Sequence, residues 1–174
     1  MERLERILLA WSICLILIQV GLLFIRANLA NIGAIMLASK VNPNYRLVRE
    51  ISQEVLEICG NYRFLNESNR ARCYLFWINM LLSSKLKYKP TQEINPDLGY
   101  GDCKAIAVAY ASLLKRLNLS DEIYIAIQLP PNATVDDVLN HRAIAHACVL
   151  FKLGNETRSY NCDESWRIVA RARA

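Results

Sequence analysis

Gly101-Asp102-Cys103-Lys104-Ala105-Ile106-Ala107-Val108-Ala109-Tyr110-Ala111-Ser112-Leu113-Leu114-Lys115-Arg116-Leu117 is the stretch that decides how this chain is read. Ile106, Tyr110, Leu113, Leu114 and Leu117 recur at helical spacing, which predicts a helix opening near Cys103. Gly101 permits unusual backbone angles and the close approach of a second segment. Asp102 suits an N-cap, because its side-chain oxygen can accept an otherwise unpaired backbone N–H. The free N–H groups and the helix dipole at such a start favour the thiolate of Cys103. A thiolate is a nucleophile, and an inert structural cysteine would not need this setting.

Two partners for that thiol are expected downstream. The chain has two histidines, His141 and His146. His146 opens His146-Ala147-Cys148-Val149-Leu150-Phe151, which reads as a buried strand. A turn at Gly154-Asn155-Glu156 and a short strand through Tyr160 lead to Asp163. A hairpin of this length can bring Asp163 beside His146. The expected roles are a nucleophile on a helix (Cys103), a base on one strand (His146) and an orienting carboxylate after the next (Asp163). His141 is the rival base, but it lies in the polar run Asn140-His141-Arg142.

The residues just quoted resemble the transglutaminase-like superfamily. The nucleophile-helix string continues through Asn118-Leu119, His146-Ala147-Cys148-Val149 matches a second family motif, and Asn161-Cys162-Asp163 matches a third. The resemblance covers roughly residues 45–166. It implies a papain-like fold and a Cys-His-Asp triad, with no cofactor. Three features depart from the pattern. Lys104-Ala105 replaces an acidic pair, Cys148 replaces a tryptophan, and the sequence ends soon after Asp163, so later strands of the family core are expected to be missing.

At 174 residues the chain fits one domain plus an appendage. Ile7 to Ile25 is a nearly unbroken apolar run, long enough as a helix to cross a bilayer core of about 30 Å. It is long for a signal-peptide core, and Ala27-Asn28-Leu29-Ala30 is a poor cleavage site. The expectation is an uncleaved anchor and stem over 1–40, with the membrane as partner of residues 7–25, and a domain over 41–174. A removed signal and a buried soluble helix are the alternatives. Lysine and arginine counts nearly tie across the run, so they do not orient it. Four sequons, at Asn66, Asn118, Asn132 and Asn155, favour an extracytoplasmic domain, with Asn118 expected to be shielded.

The net charge of +5 excludes little. The Lys85, Lys87, Lys89 and the Arg167, Arg171, Arg173 clusters read as solvated surface and a loose basic tail, and no aromatic–basic interleaving points to nucleic acid. Cys59 and Cys73 read either as a disulfide between two helices or as two small buried hydrophobes.

The order of elements is helices first, then three short strands, an α+β domain with a small antiparallel sheet. Asn42-Pro43 reads as a helix start, with a stripe of Leu47, Ile51, Val55 and Ile58 ending at Gly60. A second helix is expected from Glu67 to Ser84. Glu122–Leu129 reads as a strand.

The expected function is a membrane-anchored thiol enzyme acting on amide bonds of a protein or peptide through a thioester. Gln92 or Tyr100 would add an oxyanion donor to the N–H of Cys103. Two other classes remain open: an inactive membrane-tethered binding module of the same fold, and a metal site built from Cys103, His146, Cys148, Cys162 and Asp163.

Overall fold

The computed structural model describes residues 2–60 and 67–174, and the sequon asparagine Asn66 lies outside them. The chain opens with a long helix, α1 (Glu2–Ser39). Its segment Trp11–Ser39 is long and apolar enough to cross a membrane. Residues Trp11 to Ala27 are all exposed, whereas Ala34 and Leu37 are buried. The helix therefore has a free part and a docked part, and the docked part packs on the sheet. The stretch expected as a stem therefore includes residues that pack on the sheet.

Helix α2 (Arg46–Gly60) buries Leu47, Val48, Ile51 and Val55, one stripe of an amphipathic helix. It begins later than Asn42-Pro43. The Asn42 side chain accepts from Asn44 N–H in a local turn, and the Leu47 N–H is capped from fifty residues away by Asp97 Oδ1 at 2.8 Å. Helix α3 (Glu67–Lys85) follows, and Cys59 and Cys73 form a disulfide between α2 and α3. Strand β1 (Lys87–Tyr88) pairs in parallel with β2 (Tyr100–Gly101). Between them a 3-10 turn, Pro96–Leu98, is closed by Gly99 in the left-handed region at φ 73°.

Helix α4 (Cys103–Arg116) is the centre of the core, with Ala107, Val108, Ala111, Leu113 and Leu114 at no more than 1% exposure. It lies against β3 (Ile123–Leu129) and β4 (His146–Leu153). A short helix, α5 (Val135–Leu139), capped by Thr134, precedes β4. Strand β5 (Glu156–Tyr160) returns as a hairpin, and β6 (Arg167–Arg173) completes an antiparallel sheet of order β5-β4-β3-β6. The molecule is thus mixed helix and small antiparallel sheet.

Strand β6 was expected to be a loose basic tail. Its alternation explains the difference. Ala170 and Ala172 stand opposite Ile127 and Ile125 on β3, while Arg171 and Arg173 take the other face. Alanine and arginine are weak strand formers, so the pairing with β3 and the docking of α1 decide the conformation rather than propensity.

Candidate functional site

Asp102 caps α4, its Oδ1 accepting from Lys104 N–H at 3.0 Å and Ala105 N–H at 3.4 Å. This places Cys103 as the first residue of the helix, half-buried, with a free thiol. Gly101 serves space rather than backbone angle: a Cβ there would come within 2.3 Å of Ala105 Cβ. The left-handed glycine of this segment is Gly99.

His146 is the first residue of β4, and its imidazole and the Cys103 thiol lie near enough for each to shift the ionisation of the other. Nε2 donates to the backbone carbonyl of Asn161 at 2.5 Å. A carbonyl only accepts, so Nε2 carries the proton and, in the neutral ring, Nδ1 holds the lone pair. Burial pushes the Cys103 thiol up. Its interaction with the His146 imidazole, the backbone of Ala147 and the imidazolium charge outweigh it, and the thiol ends below its ordinary range. His146 moves the opposite way. Its interaction with Cys103 raises it, burial opposes, and Asn161, the thiolate and Asp163 add to the rise. The two shifts together favour a thiolate–imidazolium pair.

Asp163 is nearby but is not the group on the second ring nitrogen. Its Oδ1 accepts from Ser165 Oγ at 2.6 Å and Ser165 N–H at 2.9 Å, which holds its carboxyl below the usual range. It acts on His146 through charge. The Asn161 carbonyl takes the position expected for Asp163. Asn161 itself adopts φ 57°, a left-handed conformation that asparagine tolerates, and this turns its carbonyl toward the histidine.

Three further features border this site and were not foreseen. Cys148 and Cys162 form a disulfide between β4 and the segment that carries Asn161. The sequence reading did not join Cys162 to Cys148. Their sulfurs are thereby withdrawn from the metal set, and among the described residues no group of three or more His, Cys, Asp or Glu is placed to hold an ion. The buried Gln128 on β3 accepts from Asp163 N–H at 2.9 Å and donates to the carbonyls of Asp163 and Trp166. Gln128 is the one polar residue in an otherwise apolar strand, Ile125-Ala126-Ile127-Gln128-Leu129, which was the available signal. Trp166 stands edge-on to the imidazole, centroids 6.2 Å apart.

His141 is exposed at φ 57° in the turn after α5. Tyr100 lies in β2 with the Lys89 ammonium 4.6 Å from its ring centroid. Lys104 Nζ donates to Thr91 O at 3.4 Å, which keeps the exposed Gln92 in the segment beside the α4 start. The surface between His146, Asn161, Cys162, Asp163 and Trp166 is an open hollow of about 350 Å³. Chemically, the arrangement offers an ionisable nucleophile, a base in a fixed tautomer and a helix N-terminus. Compared with known protein families, curated proteins and solved structures, the chain matches none.

Proposed function

We propose that this chain is a membrane-anchored thiol enzyme that attacks amide carbonyls of a protein or peptide. The observation that carries the reading is the helix-start Cys103 beside a His146 whose Nε2 is held by Asn161 O, with the thiol lowered and the imidazole raised by one another. The resemblance of the helix, histidine and Asn161-Cys162-Asp163 strings to the transglutaminase-like superfamily supports it, and a papain-like domain is the corresponding fold proposal.

In the proposed reaction the Cys103 thiolate adds to the amide carbon and the carbonyl electron pair moves to oxygen. The N–H of Cys103, one of the unpaired donors of the α4 start, faces that developing charge, and Gln92 is the candidate second donor. His146 gives its proton to the amine nitrogen as the C–N bond breaks, leaving a thioester on Cys103. Water, or an amine, then adds to the thioester with His146 as base, and the thiolate leaves. Asn161 O keeps the imidazole oriented throughout.

The same reading puts the domain outside the cytoplasm. Two disulfides suit an oxidising compartment. Asn118, Asn132 and Asn155 are all exposed, Asn118 included, so each is open to glycosylation. A second reading, a binding module without chemistry, draws on the Asp163 carboxylate being held by Ser165 rather than by the histidine.

Alkylation separates the two. In the full chain in detergent with Cys14→Ala, so that Cys103 is the reactive thiol, iodoacetamide should modify Cys103 readily at about pH 6, below the ordinary thiol range near 8.5. His146→Ala should slow that reaction about tenfold or more, since each unit of raised pKa is tenfold in thiolate. Equal rates in both proteins, each following an ordinary thiol titration, would remove the enzyme reading.

A further inference from the structure

The docked part of α1 fixes which end of the domain meets the bilayer. Residues Trp11 to Ala27 are exposed and packing begins at Asn28, with no linker and no proline between the two parts. A helix kinks where proline, glycine pairs or inserted groups break its ladder, and α1 continues unbroken to Ser39. The membrane segment therefore ends close to Arg26, where the protein begins.

The direction of α1 across the domain follows from its partners. Just beyond its C-terminus, Asn42 N–H donates to Ser112 Oγ and Arg116 donates to Pro43 O. Ser112 lies nine residues along α4 from Cys103, about 13 Å away along the axis. The end of α1 is thus level with the end of α4 remote from the thiol. Its other contacts include α5, which follows the Gln128–Leu129 end of β3 and leads into His146. Arg167, at the same end of β6, donates to Ala133 O just before α5. Helix α1 therefore runs parallel to α4 and β6 and emerges at the end that carries Cys103 and His146. That end also exposes three large apolar side chains, Leu139 (47%), Ile144 (76%) and Ile168 (45%). Ile144 is two residues from His146.

We propose that this end of the domain rests on the bilayer, with Leu139, Ile144 and Ile168 in the interfacial layer, so that the Cys103 site works on amides held at the membrane surface. This rests on α1 spanning the membrane, and its substrate consequence rests on the thiol-enzyme reading. The bilayer is the occupant because the helix that enters it leaves the protein at this face. Apolar side chains at a membrane–water boundary are stabilised there by removal of their surface from water.

The intact chain, without substitutions, tests this in vesicles of phosphatidylcholine with a minority of phosphatidylglycerol. The vesicles contain a phospholipid whose diazirine sits near the headgroup end of its acyl chain. Irradiation and mass spectrometry should find lipid adducts on α1 and on Leu139, Ile144 or Ile168, and none on Lys115–Asp121 at the opposite end. Adducts on α1 alone, or on both ends of the domain alike, would overturn the docking. Absence of adducts from α1 itself would show that the spanning reading has failed, and the docking with it. None of these outcomes depends on the reactivity of Cys103, which the alkylation experiment reads separately.

Discussion

Gly101, Asp163 and Asn161 show how single residues set this site. Gly101→Ala should destabilise the domain by about 1–3 kcal/mol in denaturant unfolding, because the added methyl meets the rigid stub of Ala105 at the helix start. A result within experimental error of wild type would mean that β2 and α4 can move apart freely. The Asp163 charge raises His146, so Asp163→Asn should lower the imidazole pKa, as followed by NMR titration. The pair with Cys103 should persist, since the imidazole hydrogen-bonds through Asn161 O. A collapse of low-pH alkylation in Asp163→Asn as complete as in His146→Ala would restore Asp163 to the orienting role expected from the sequence. That expectation failed for a physical reason. Residue types reveal a carboxylate, but a backbone carbonyl turned by one left-handed residue has no signature in composition.

Among the elements, the strongest comparison is between the two disulfides, which close loops of equal sequence separation, 14 residues. Each should contribute about 3 kcal/mol by restricting the unfolded chain. They differ in what they hold. The double change Cys148→Ala/Cys162→Ala should also slow Cys103 alkylation at about pH 6, because Asn161 O loses its tether. The double change Cys59→Ala/Cys73→Ala should cost stability and leave that rate unchanged. Identical alkylation in both would show that the Cys148–Cys162 bridge is structural only. Here the sequence was partly legible. Helices α2, α3 and α4 and strands β3 and β4 follow from apolar patterning, β5 follows from the turn that precedes it, and the Cys59–Cys73 pairing was one of two open readings. Strand β6 was not legible, since Arg-Ile-Val-Ala-Arg-Ala-Arg has little strand preference until β3 supplies the ladder. The α2 cap was hidden for a similar reason: Asp97 is distant in sequence.

At the scale of the molecule, α1 belongs to two environments, and truncation should reveal where they meet. A chain lacking residues 1–27 should remain folded and soluble, whereas one lacking 1–40 should lose the burial of Ala34 and Leu37. Leu37 alone represents about 1.5–3 kcal/mol. Equal thermal stability of the two truncated chains would show that the end of α1 is merely laid against the sheet. Strand β6 has a role at this scale too. By pairing with β3 it covers what would otherwise be an open, apolar strand edge, and it becomes an outer edge itself. Its exposed positions include three arginines beside Ile168: Arg167 and Arg173 reach backbone carbonyls of Ala133 and Asp121, and Arg171 lies over the Tyr124 ring. A row of cations on an edge strand discourages a second copy from adding its own strand there. The basic cluster that reads as idle surface in the sequence then works against a second copy adding its own strand to this sheet.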